Sequence, residues 1–258
     1  MRLLLLGGAA DARCIADTLH SKGLDIIYSI AGLVRSPTVL YPVISGGFRQ
    51  LGGFKHYLKA TKIDLILDAT HPYAAMISHK AVLAAKQTGI PCWRYHRSAW
   101  QQDEKKTWNS FSDWDDLAQR LRGYIKPFFT IGQLAQHLIQ RLEENKKQQI
   151  VVRTAVASKY PLPENTKWIQ GIGPFILNDE IRLMTDHKID ALVSKNSGGK
   201  ATAAKIKAAK QLSIPVFILD RPVLTPVEKE FHSIEHCINT TLKYFQQNDT
   251  VPCVSGRP

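Results

Sequence analysis

The 258-residue sequence predicts an α/β protein of two three-layer lobes, each a mainly parallel sheet covered by helices, with a cleft between them. Three observations predict it. Short apolar runs of strand type alternate with segments of helical period along the whole chain. One strand–turn–helix–strand unit is written twice. It reads Ile63-Asp-Leu-Ile-Leu-Asp-Ala-Thr-His-Pro-Tyr73, a helical segment and Ala84-Ala-Lys-Gln-Thr-Gly-Ile-Pro91, then again Ile189-Asp-Ala-Leu-Val-Ser-Lys-Asn-Ser-Gly-Gly199, a helical segment and Ala208-Ala-Lys-Gln-Leu-Ser-Ile-Pro215. The offset is 126 residues at the start and 124 at the end, so a two-residue gap aligns the copies. In both copies the strand opens into a polar turn broken by glycine or proline, where parallel sheets carry functional groups.

The elements follow in order. Arg2–Leu6 is a buried strand, and Gly7-Gly-Ala-Ala-Asp-Ala-Arg13 turns into a helix that ends near Ser21, with Gly23 as its stop. Asp25–Ile30 is the second strand, and the glycine-spaced stretch Gly46–Gly53 is a loop. Phe54–Thr61 reads as a short helix, Asp64–Leu67 as a buried strand, Ala74–Thr88 as a helix closed by Gly89, and Cys92–Tyr95 as the next strand. From Ser98 to Gly123 the pattern loosens, and this stretch is read as the connection between lobes. Strand Pro127–Ile131, a helix to about Glu144, strand Gln149–Arg153 and a loop with Pro161 and Pro163 open the second lobe. Trp168-Ile169, a break at Gly171–Pro174, helix Asn178–Asp186, strand Asp190–Val193, helix Lys200–Leu212 and strand Val216–Leu219 continue it. A last helix is expected over about Glu228–Phe245. The resulting division is lobe 1–98, connection 99–125, lobe 126–247 and a mobile tail 248–258.

Composition narrows the function. Hydrophobic content of 44% and charged content of 22% are those of a soluble globular protein, and no apolar run reaches the ~20 residues that span a bilayer. Leu3–Leu6 is too short for a signal-peptide core, so a cytoplasmic location is expected. Four scattered cysteines give neither a C-x-x-C pair nor a disulfide framework, and the nine histidines show no metal-ligand spacing. Cys14 and Cys92 are expected in the core. Thirty-four Lys and Arg against 22 Asp and Glu leave a charge of +12. The basic residues are dispersed, and the densest polar runs, Asp103–Lys106 and Glu143–Lys147, are of mixed sign. Dispersal and the lack of an aromatic RNP-type stretch argue against nucleic acid. A polyanionic small ligand or a plain solvated surface remains.

Three turns could carry chemistry. At Gly7–Arg13 the glycines let backbone approach a pyrophosphate while the helix N-terminus offers free N–H groups; a tight βα turn is the plainer alternative. Ser29-Ile-Ala31-Gly32, at the exit of the second strand, strengthens the nucleotide reading. In Asp68-Ala-Thr70-His71-Pro72-Tyr73, Thr70 could cap the next helix, Pro72 suits its start, and His71 could donate a proton or only brace the turn. In Ser194-Lys195-Asn196-Ser197-Gly198-Gly199, a fixed charge precedes a plausible anion cradle, without Walker spacing.

An ordered set of these residues resembles one family. Gly7-Gly8 with Asp11-Ala12-Arg13, Ser29–Gly32, Gly46-Gly-Phe48, Asp68–Tyr73, Gly173-Pro-Phe175, Lys195–Gly199 and Arg221-Pro222 are similar to the motifs of the precorrin-6A and cobalt-precorrin-6A reductases of corrin biosynthesis. The resemblance spans roughly Leu3 to Pro222. It implies two Rossmann-like lobes and a nicotinamide-dependent reduction of one double bond of a tetrapyrrole. The dinucleotide is then expected on Gly7, Gly8, Ala9, Asp11, Ala12, Arg13, Ser29, Ala31, Gly32, Arg35 and Thr70–Tyr73. The acetate and propionate groups of the macrocycle are expected on Lys195, Asn196, Ser197, Gly198 and Gly199, with Arg13 and Arg221 as further partners. His71, Lys195 and water are the candidates for the proton. Many NADPH-using members carry arginine directly after the Ser-x-Ala-Gly turn; here Leu33 stands there with Arg35 close by, so NADPH and NADH both stay open. The reading from another class is a two-lobed anion- or nucleotide-binding regulatory protein without catalysis.

Overall fold

In the computed structural model, residues 1–31, 38–102 and 108–249 are described. Gly32, Leu33, Arg35, the run 103–106 and the tail beyond 249 therefore lie outside the described residues. The strands are β1 (Arg2–Leu6), β2 (Asp25–Ile30), β3 (Val43–Ser45), β4 (Leu65–Asp68), β5 (Cys92–Tyr95), β6 (Asn109–Phe111), β7 (Pro127–Thr130), β8 (Ile150–Thr154), β9 (Thr166–Gln170), β10 (Ala191–Lys195), β11 (Val216–Leu219) and β12 (Lys229–Phe231). The α-helices are α1 (Ala10–Ser21), α2 (Phe54–Ala60), α3 (Ala75–Thr88), α4 (Trp114–Arg120), α5 (Gln136–Glu144), α6 (Leu177–Asp186), α7 (Ala204–Gln211) and α8 (Ile234–Asp249).

The chain forms two compact units, Met1–Ser98 together with the segment from Pro222, and Ala99–Arg221. In the first, six strands lie in the order β12-β5-β4-β1-β2-β3; in the second the order is β6-β11-β10-β7-β8-β9. All strand pairs within each sheet are parallel. Each sheet thus reverses its winding direction once, between β1 and β4 in the first unit and between β7 and β10 in the second.

Strands buried on both faces explain the continuous apolar runs. Leu3 and Leu5 of β1 pack with Ile15, Leu19, Ile238 and Phe245 on one face, while Leu4 and Leu6 pack with Leu58, Val82 and Ala85 on the other. The second unit repeats this, with Phe129 and Val193 against Leu117, Leu138 and Leu142, and Phe128 and Leu192 against Met184 and Ala208.

The structure corrects several sequence expectations. The supposed connection 99–125 carries β6 and α4, and both belong to the second unit. The segment from Pro222, read as part of the second lobe, belongs to the first. Its expected single helix is β12 followed by α8, because Lys229–Phe231 pairs with Trp93–Tyr95. The loop at Gly46–Gly53 includes a 3-10 turn, Phe48–Leu51, and the edge strand β3 precedes it. Cys14 is exposed, since the apolar stripe of α1 runs through Ala12, Ile15, Ala16 and Leu19. Helix α3 begins three residues after Pro72, and Thr70 does not cap it. Helix α8 runs through Asp249, so residues 248 and 249 are helical. Among the described residues no helix is long and apolar enough to cross a membrane, and no cluster of His, Cys, Asp and Glu could hold a metal ion.

Candidate functional site

In the first unit the carboxyl ends of β1, β2, β4 and β5 meet beside the winding reversal, where open parallel sheets bind ligands. Gly7 N–H donates to the Ser29 carbonyl at 2.8 Å, and Gly8 N–H to the Tyr28 hydroxyl at 3.0 Å. A Cβ on Gly7 would collide with the Tyr28 phenol, and Gly8 has φ +120°, so both positions call for glycine. Burial pushes the Tyr28 phenol above its ordinary pKa, which keeps it protonated under this turn. Helix α1 follows from Ala9 with no side-chain cap, leaving its first N–H groups directed at whatever sits before it. The residues present thus fit the diphosphate of a dinucleotide.

The other nucleotide candidates divide by role. Ala12 is buried in the core, so only its backbone faces the turn, and the buried Ser29 acts through its carbonyl. Ala31 is exposed. Asp11 is engaged by Arg97 and by the Tyr95 hydroxyl, both at 3.4 Å. Arg13 is exposed and lies 4.0 Å from Asp17.

The turn after β4 is built on Asp68, which is 1% exposed. One carboxylate oxygen accepts from Thr70 N at 3.2 Å and Thr70 Oγ1 at 2.7 Å; the other accepts from Ser78 and from Arg94 Nε at 3.2 Å. Arg94 continues to Glu230 at 3.3 Å, and Glu230 lies 3.6 Å from His96. Within the turn, Tyr73 N–H donates to His71 Nδ1 at 3.3 Å, which leaves Nε2 as the nitrogen that carries the proton of the neutral ring. Pro72 is buried, while His71 and Tyr73 are half-buried.

In the second unit the matching turn follows β10. Lys195 ends the strand, and burial lowers its pKa. The Asn196 amide is committed to Trp100, accepting from its N–H at 2.8 Å and donating to its carbonyl at 3.1 Å. Arg221 donates to the Asn196 carbonyl at 2.9 Å, so it braces the turn. Ser197 is buried, its N–H donates to the Lys195 carbonyl at 2.9 Å, and Gly198 supplies φ +71°. Gly199 leads into the helical segment through a short 3-10 turn.

Sequence reading missed a second cationic group in this unit. Arg153, at the end of β8, makes a two-pronged ion pair with Glu180 of α6, at 2.5 and 3.0 Å, and its guanidinium lies 3.8 Å over the Phe175 ring. Lys205 of α7 is buried, with Nζ donating to the Thr130 carbonyl at 3.4 Å. Burial is the main cause that lowers its pKa to about 7, followed by Arg153; Glu180 acts against them. The internal repeat held the signal: Lys205 aligns with Ala81, a core position.

Known proteins bear on this arrangement. The family model described as Precorrin-6x reductase CbiJ/CobK matches residues 2–241. A "Precorrin-6A reductase" of Rhodococcus erythropolis is 34% identical over 240 residues, 92% of this chain and 96% of that protein. Its namesake in Mycobacterium tuberculosis (strain ATCC 25618 / H37Rv) is 35% identical over 225 residues, covering 86% and 90%. Among solved structures, "CobK precorrin-6A reductase" superposes with a TM-score of 0.84 at 28% identity, over 95% of this chain and 97% of that one.

Proposed function

The chain belongs to the precorrin-6x reductase family, and on that premise we propose that it reduces a double bond of precorrin-6A with a nicotinamide dinucleotide, in cobalamin biosynthesis. The observation that carries this reading is the near full-length identity of about a third with proteins named precorrin-6A reductase. Relatives named for cobalt-precorrin-6A are less similar, at 24% and 26% identity over most of the chain, which favours the metal-free macrocycle as substrate. A biosynthetic reductase of this kind suits the cytoplasm.

The dinucleotide's diphosphate would lie on Gly7, Gly8 and the first turn of α1, with Thr70–Tyr73 beside it. When bound, the nicotinamide supplies the hydride. The chain's own work is to orient and to charge-match. Asp68 holds the Thr70–Tyr73 turn, and Lys195 with the Ser197–Gly199 backbone receives carboxylates of the macrocycle. The proton for the second carbon comes from His71, through Nε2, or from Lys195, whose lowered pKa eases release. The nicotinamide dinucleotide proposed is NADPH, the donor that the family resemblance implies.

Anaerobic turnover of precorrin-6A and its cobalt form, with each dinucleotide, tests the proposal. Oxidation of the dinucleotide that requires the macrocycle is expected, and its absence with all four pairings would sink the reading in favour of a binding protein. In H71Q and K195M, the variant that lowers kcat and removes a limb of the kcat–pH profile identifies the proton donor.

A further inference from the structure

The two units can be compared position by position. Strand register places Asp68, Leu6 and Ser29 side by side in the first sheet; in the second, Ser194 pairs with Thr130, and Thr130 lies next to Arg153. The repeat also aligns Ala69 with Lys195 and Ala81 with Lys205. Ser29 and Ala69, at strand ends of the first unit, and Ala81, inside its helix α3, are therefore matched in the second unit by Arg153, Lys195 and, inside helix α7, Lys205. Ala81 is 0% exposed and Lys205 is 4% exposed, so the fold needs only a methyl group at this place. A buried amine there serves something other than packing.

Its surroundings leave that amine short of partners. Among the described residues its one hydrogen bond is the long one to Thr130. The groups acting on it are Arg153 from β8, Lys195 from β10 and Glu180 from α6. Glu180 is already gripped by both terminal nitrogens of Arg153. Two cations thus face Lys205 against one carboxylate that is spent elsewhere.

We propose that Lys205 is the electrostatic floor of an anion subsite in the second unit, and that a carboxylate of the ligand seated beside Lys195 draws a proton onto Lys205 as it binds. The proposal rests on the reading that the second unit receives the anionic groups of the macrocycle. Before binding, desolvation and two neighbouring cations hold the amine largely neutral above pH 7. An arriving carboxylate offsets them, so binding and protonation are linked.

Calorimetric titration of the whole protein, in two buffers of different ionisation enthalpy, reads the linkage. Anaerobic precorrin-6A is one ligand and citrate, a simple tricarboxylate, the other. Near pH 8 the wild-type protein should take up close to one proton per anion bound, and affinity should fall by up to tenfold for each pH unit above that. K205M, and K205A with the residue of the first unit, should bind at least tenfold more weakly and lose that uptake. Equal uptake and affinity in either folded variant overturns the proposal while leaving the reductase reading intact. Uptake with citrate but no binding of precorrin-6A keeps the anion subsite and removes the reductase reading. No proton uptake by the wild-type protein with either anion overturns the proposal.

Discussion

At the scale of single residues, Asp68 holds the first unit's turn together. Its carboxylate accepts from Thr70 twice, from Ser78 and from Arg94, and Arg94 is itself 2% exposed. Removing one partner of a buried ion pair costs more than the pair contributes, because the remaining charge stays buried. Asp68→Ala should therefore lower the stability to urea by about 3–5 kcal/mol. Asp68→Asn keeps an acceptor for Thr70 or Ser78 and should lose about 1–3 kcal/mol. Gly7 is the second sensitive residue. Gly7→Ala drives a methyl group into Tyr28 and should cost about 1–3 kcal/mol, with a larger proportional loss of dinucleotide affinity than of precorrin affinity. Equal losses for both ligands in fluorescence titrations would contradict a diphosphate role for this turn.

At the scale of elements, helix α7 makes a pH prediction. Lys205 is drawn down to about 7 in the folded chain, while in the unfolded chain it titrates near the ordinary lysine value of about 10.4. Between those values the unfolded state binds more protons, so stability rises with pH. Below about pH 7 both states are charged, and the full cost of burying the ammonium is present. Urea unfolding should show the wild-type protein gaining on K205M from pH 7 to 10; parallel curves would mean that Lys205 is not held neutral. The same helix shows what was legible in the sequence. Strands β1, β4, β10 and β11 read clearly because burial on both faces demands unbroken apolar runs. The three-residue strands β3, β6 and β12 did not, because pairing with a neighbour defines them and their own residues carry no period. Lys205 and Arg153 escaped notice because lysine and arginine ordinarily signal a solvated face. The glycine-requiring turn at Gly7 and Gly8 and the charge of Lys195 at a strand end were legible because both are written in residue type, whereas Thr70, read as a helix cap, donates to Asp68 instead. The commitment of Asn196 to Trp100 was not legible, since only the folded turn brings them together.

At the scale of the whole molecule, the two units are alike in winding yet unlike in how the chain completes them. The second is continuous from Ala99 to Arg221 and holds all six of its own strands. It is inserted between β5 and β12 of the first, which is closed only when the chain returns. That return supplies Phe231, Cys237, Ile238 and Phe245 to the core that also buries Trp93, Tyr95 and Leu19. Residues 1–98 alone would keep α1 on that face but expose the part that Phe231, Cys237, Ile238 and Phe245 cover, together with the β5 edge. The two fragments should therefore behave differently. Residues 99–221 expressed alone should unfold cooperatively in urea with a defined near-ultraviolet spectrum. Residues 1–98 should aggregate or bind hydrophobic dyes, and joining them to 222–258 through a flexible Gly/Ser linker should restore a cooperative transition. A cooperative 1–98 fragment would show that β12 and α8 decorate the first unit rather than complete it, and the dinucleotide turn could then be studied without them.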